Sequence, residues 1–301
     1  MSKLRLPSAS RGFTLIEAIA VIVITGIIAS MIAVFLRAPV DGYLDAARRA
    51  ELTDVADTAV RRLARDVRLA LPNSVRNPAD GSDQCVEFIP TKIGARYRAL
   101  PDSTGSGDPL DFTAVDGAFD MLWLNNDLPA ANRVAVGDVV AVFNDGSASG
   151  DAYTGSNAIQ IAGLTPDVPG KTTNIAFVDT ATATPFNRKQ LGAESPARRF
   201  SVMPAGEHVV AYACSSGVLR RYSRTLTAAW AQPMDCAAMV GGATSSRLAQ
   251  AANMTCSLKY DPPGSSTGLS DNGILSVSLV LGDAAGESVK LYHQIQVNNT
   301  P

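Results

Sequence analysis

The sequence predicts an α+β protein in which one long N-terminal helix packs on an antiparallel β-sheet, and three patterns carry that prediction. Phe13 to Leu36, FTLIEAIAVIVITGIIASMIAVFL, is a predominantly apolar run with one ionisable residue, Glu17. From Asp45 to Leu71, apolar residues recur every three or four positions. From Cys85 onward the chain turns to short runs of strand character separated by Gly, Asp, Asn, Ser and Pro, with no helical period. A helix with one apolar stripe and a sheet with one apolar face must cover each other, which gives a layered architecture.

The first apolar run spans about 36 Å as a helix, against a hydrocarbon core of about 30 Å, so it is long enough to cross a membrane. The preceding MSKLRLPSASRG carries Lys3, Arg5 and Arg11 and no acid. The positive-inside rule then puts the N-terminus in the cytoplasm and the rest of the chain outside it. The run exceeds the h-region of a cleaved secretory signal, and the plainest reading is an uncleaved signal anchor. Glu17 argues against stopping there, because the costliest ionisable groups inside a membrane helix raise the free energy by about 2.5–3.5 kcal/mol. A cut between Gly12 and Phe13 would create an α-amino group four residues before Glu17, on the same helical face and at the positive end of the helix dipole. Glu17 would then pair with its own Phe13 or with that of a neighbour.

Pro39 and Gly42 form a breaker pair that predicts a kink or brief interruption at the membrane's outer edge. A second, amphipathic stretch follows, with Leu52, Val55, Ala59, Leu63, Val67 and Leu71 on its stripe and a stop at Pro72-Asn73. Arg61, Arg65 and Arg68 lie on another face, with Asp57 placed for an intrahelical pair with Arg61. That face reads as solvated or, alternatively, as a contact for the acidic surface of a neighbouring subunit. The organisation is thus 1–12 leader, 13–36 membrane helix, 37–76 amphipathic continuation and 77–301 exported β-rich domain.

Strand candidates are 85–90, 119–124, 139–144, 174–179, 207–214, 218–224, 274–282 and 287–297. The fifth and sixth form a hairpin across Ser215-Ser216-Gly217, and the last two a hairpin across Asp283-Ala284-Ala285-Gly286. Cys85, Cys214, Cys236 and Cys256 all fall in the exported part, where an even count favours disulfides. Of the three possible connectivities, Cys236–Cys256 with Cys85–Cys214 is favoured.

Composition excludes several classes of function. Among 301 residues, 46% are hydrophobic and 18% charged, as in a folded globular chain. The net charge of −2, with no Lys/Arg-rich stretch, gives no field for nucleic acid, so no such partner is expected. His208 and His293 read as satisfied sheet histidines in apolar surroundings. Asp145 and Asp151 share a loop without the spacing of an EF-hand, and no metal site is expected. Walker, Gly-x-Ser-x-Gly and His-Glu-x-x-His patterns are absent, so the expectation is a protein that is not an enzyme and carries no cofactor.

RGFTLIE followed by the apolar run resembles the class III signal of type IV prepilins and type II secretion pseudopilins. The resemblance implies cleavage of the Gly12–Phe13 bond by a prepilin peptidase in the inner membrane and N-methylation of Phe13. It assigns Glu17 the family's assembly role, neutralising the terminal amine of an adjacent subunit in a filament. It also implies a pilin-like fold whose 230-odd exported residues exceed the smallest pilin domains, hence a β-rich insertion near 100–170 or two sheets in one unit. ARDVRLALPNSVR, CVEFIP and LYHQIQV are similar to minor pilins of the mannose-sensitive haemagglutinin (MSHA) pilus system, the O-type biogenesis proteins. The partners so implied are the peptidase, other pilin or pseudopilin subunits, the inner membrane and the pilus assembly machinery, in adhesion or motility. A minor pseudopilin of type II secretion is the close alternative, and a membrane-anchored ligand-binding adhesin is one from another class.

Overall fold

The computed structural model describes residues 12–166, 172–179, 185–264 and 272–301. The chain divides into two units, Met1–Glu51 and Leu52–Pro301. Helix α1 (Leu15–Arg68) contributes to both and is continuous through Pro39 and Gly42, so the expected interruption does not occur. Proline at 39 removes only the donor that would bond the Phe35 carbonyl, and the turns on either side keep their own bonds. The helix stops at Arg68, short of Leu71, because the backbone beyond it is drawn into strand-like pairing. The Leu69 carbonyl accepts from Thr91 N at 2.9 Å, and Leu71 N donates to the Ile89 carbonyl at 2.8 Å.

In the second unit, the stripe that faces the core comprises Ala56, Ala59, Val60, Leu63, Ala64 and Val67. Three of these are alanines, which let the helix backbone approach the sheet closely. Asp66 anchors this end of the helix, accepting from Tyr212 Oη and Arg221 Nε, both at 2.8 Å, while Arg221 also forks onto Glu207.

Beyond the helix come β1 (Cys85–Phe88), β2 (Ile93–Arg96), β3 (Ala118–Met121), β4 (Val139–Val142), β5 (Ala158–Pro166), β6 (Thr173–Phe177) and β7 (Arg199–Met203). After these lie β8 (Val209–Ser215), β9 (Val218–Arg224), the short helix α2 (Cys236–Val240), β10 (Thr244–Gln250), β11 (Asn253–Asp261), β12 (Asn272–Gly282) and β13 (Ser288–Asn298). They form sheets ordered β1-β8-β9-β10, β11-β12-β13 and β2-β7-β4-β5-β6-β3, antiparallel at every pairing. Helix α1 packs on the first two. Val86, Phe88, Val210 and Tyr212 face it from one sheet, and Leu275, Val277, Leu279, Ile295 and Val297 from the other. Both expected hairpins form. The first turns on Ser216 and Gly217, with φ of 50° and 75°, the left-handed pair that a two-residue type I′ connection requires.

The expected insertion is present, but it spans β2 to β7 rather than 100–170 and is built of strands rather than loop. Its six-stranded sheet closes on itself. Tyr97 bridges Met121, Leu122 N donates to the Arg96 carbonyl and Arg98 N to that of Asp120, both at 2.9 Å, joining β2 to β3. Closure removes both edges, which suits short strands that would otherwise expose unpaired backbone. Phe119, Phe177 and Phe200 fill the interior with ring centroids 5.2–5.4 Å apart. The barrel leans on the first sheet through Ile89, Val139, Ala141, Met203 and Val209, so the two share a core.

Candidate assembly site

Thr14 sits just ahead of α1 and caps it. Its Oγ1 accepts from Glu17 N at 3.3 Å, and its carbonyl accepts from Ala18 N at 3.1 Å. Thr14 is therefore the N-cap of α1, and the Glu17 carboxylate sits in the first turn where the helix dipole favours an anion. Sequence reasoning missed this role of Thr14, although Thr-x-x-Glu before an apolar run is its signal. Gly12 and Phe13 precede the helix in non-helical conformation, and among the described residues no atom crowds Gly12. The cationic leader at 1–11 lies outside the described residues.

From Gly12 to Arg37 every residue is exposed, including Phe13 at 79%, Ile16 at 74% and Phe35 at 82%. This part of α1 is long and apolar enough to cross a membrane. Such a surface is stable only against lipid or other apolar helices. Among the described residues, no hydrogen-bonding or charged partner is recorded for the Glu17 carboxylate.

The four cysteines form Cys85–Cys236 and Cys214–Cys256, with Cα separations of 5.7 and 6.2 Å. This corrects the favoured pairing. Cys85 lies opposite Ala213 in the β1–β8 ladder, so Cys214, one residue on, projects from the other face of the sheet. Cys85 accordingly meets Cys236 of α2, while Cys214 meets Cys256 of β11 among the residues beneath α1.

The histidines also differ from expectation. His208 is buried, with Nδ1 accepting from Leu226 N at 2.8 Å; among the described residues Nε2 has no partner, and burial lowers the imidazole pKa. His293 lines a groove with Val60, Ala64 and Leu291, as expected, but also with Arg61, Arg65 and Arg68. Asp145 and Asp151 spend their carboxylates on turn backbone, accepting from Ser147 N and Tyr153 N, both at 2.9 Å. No group of three or more metal-ligating side chains occurs among the described residues.

A buried cluster was not foreseen. Glu87, fully buried in β1, accepts from Arg76 Nε at 2.7 Å and Trp230 Nε1 at 3.1 Å. Arg76 stacks 3.6 Å over the Tyr153 ring, and Arg224 stacks 4.0 Å over that of Trp230. Burial pushes the Glu87 carboxyl above its usual range, against the pull of Arg76 and Trp230. The available signal was a charged residue inside CVEFIP, a strand whose other residues are apolar. The cluster joins the first sheet to the barrel and to the segment before α2.

Residues 7–33 match the family model described as the prokaryotic N-terminal methylation motif. The chain carries a prepilin-type signal. This type IV pilin-like signal supports the pilin and pseudopilin family, implies processing by a prepilin peptidase and assembly with other pilins, and indicates a structural subunit rather than an enzyme. Together with the apolar helix, it fits a single-pass inner-membrane protein. No curated protein and no solved structure matched the chain.

Proposed function

We propose that this chain is a minor pilin-like subunit of an MSHA-type type IV pilus. Prepilin peptidase cuts it between Gly12 and Phe13, methylates Phe13 and so readies it for assembly. The observation that carries the reading is the coincidence, within residues 7–33, of the methylation motif and an exposed apolar helix whose one ionisable residue is Glu17. In the bilayer the leader is cytoplasmic and the β-rich unit periplasmic, an oxidising setting that suits two disulfides. Once Phe13 bears a free amine, Glu17 gains a cation on its own helical face. Its pairing with a neighbour's amine sets the subunit's register as α1 leaves lipid for the filament.

Mass spectrometry of the membrane-extracted protein should find a chain beginning at methylated Phe13, and Gly12→Val should abolish it. An intact Met1 terminus in a peptidase-competent host would refute the reading. Glu17→Val should still be processed but enter filaments at least about tenfold less, since removing one partner of a buried pair leaves the other uncompensated. Normal co-purification with pili would defeat the pairing.

A further inference from the structure

Strand β13 ends its sheet, and among the described residues no strand pairs with its outer edge. It is paired to β12 in unbroken register over all eleven of its residues, with no bulge and no proline, and Lys290 is its only lysine. Edges of this length are ordinarily blunted by bulges, prolines or charges pointing along them, because their free N–H and C=O groups otherwise recruit another strand.

What borders this edge is a row of guanidinium groups. Arg61, Arg65 and Arg68, spaced along the exposed face of α1, line a groove with Tyr292 and His293 of β13. Arg68 also lines the stretch that runs on past the helix along Gln294 and Gln296. Arg61 is paired with Asp57 at 2.6 Å. Among the described residues no ion pair is recorded for Arg65 or Arg68, and Asp57 is the only acid lining the groove. A free backbone ladder beside two uncompensated arginines selects an extended segment carrying carboxylates.

We infer that β13 is a docking edge, completed by an acidic strand of a neighbouring pilin-type subunit whose carboxylates meet Arg65 and Arg68. The identity of that neighbour rests on the function proposed above; the edge and its charge do not. Docking here adds a second register mark, far along the chain from Glu17, and it makes the contact selective for subunits with an acidic strand.

The test uses the full chain in a peptidase-competent host, with a photo-cross-linking residue in place of Gln294, which is exposed. The adduct should map to an extended segment of another pilin-type subunit with at least two carboxylates. Arg65→Glu with Arg68→Glu should lower its yield at least about tenfold, and Arg65→Lys with Arg68→Lys should largely restore it. Both disulfides and a methylated Phe13 terminus, read on the same sample, report that each variant is folded and processed. An adduct with lipid, with a second copy of this chain or with a segment lacking carboxylates would overturn the inference. So would a yield indifferent to charge reversal, or no adduct from a processed chain. A chain still beginning at Met1 would overturn the assembly reading, and with it the neighbour named here.

Discussion

Glu87 shows what a single buried charge demands. Its carboxylate is fully enclosed, so it is tolerable only while Arg76 and Trp230 donate to it. Because burial raises its pKa, the folded chain binds this proton more tightly than the unfolded chain does. The site is therefore most stabilising below the ordinary carboxylate range, and that stability is lost as pH rises through the raised value. Two substitutions separate the charge from the shape. Arg76→Ala leaves the carboxylate buried and unpaired and should cost about 3–5 kcal/mol at pH 7, whereas Glu87→Gln keeps the volume without the charge and should cost less than half of that. Urea titrations at pH 7 and at a lower pH check the cause: the Arg76→Ala penalty should shrink as pH falls, because burial favours the protonated form of Glu87. Equal penalties at the two pH values would mean that Arg76 acts through its contact with Tyr153 instead.

At the level of elements, the two disulfides join different partners and should be unequal. Cys214–Cys256 ties β8 to β11 and closes a separation of 42 residues, while Cys85–Cys236 ties β1 to α2 across 151. Loop-closure entropy assigns them about 4 and about 5 kcal/mol respectively. Serine pairs at each bridge should lower the denaturant midpoint in that order, and non-reducing peptide mapping should recover Cys85 with Cys236; a Cys85–Cys214 peptide would contradict the β1–β8 register. The favoured pairing failed because proximity in a ladder was weighed without the alternation of faces. Elements with strong periods were legible: the stripe from Ala59 to Val67, the β8–β9 hairpin and the β12–β13 hairpin could be read from residues alone. Strands β5, β7 and β11 went unread, although Met254, Cys256, Leu258 and Tyr260 of β11 alternate with polar residues, and β2 and β10 could not be read. Ile-Gly-Ala-Arg or Thr-Ser-Ser-Arg carries no two-residue period of its own and becomes a strand only because a neighbour supplies its hydrogen bonds. Barrel closure is of the same kind, since it depends on Tyr97 meeting Met121, which no local pattern announces. In the assembly segment the methylation motif was legible because leader chemistry is local in sequence, while the cap made by Thr14 was within reach and overlooked.

For the whole molecule, the division after Glu51 separates two physical requirements that one helix serves. No residue described as buried lies between Gly12 and Glu51, so this stretch contributes nothing to the β-rich unit's core. The stability of Leu52–Pro301 must come from that unit's own contacts: the α1 stripe on two sheets, the barrel interior, the surface between them and the two bridges. The apolar half needs lipid or other apolar helices around it instead. A fragment beginning at Leu52 should therefore fold cooperatively without detergent, its shortened helix able to take Thr53 or Asp54 as a new N-cap. Its thermal midpoint should lie within a few degrees of that of the detergent-held full chain, because removing an exposed helical stretch deletes no packed side chain. Calorimetry and near-ultraviolet circular dichroism on both proteins decide the matter. A fragment that is molten, or that melts more than about 10 °C lower, would show that the exposed half of α1 supports the fold. The full chain, by contrast, should precipitate once detergent is withdrawn unless other pilin-type subunits are present to cover residues 13–36.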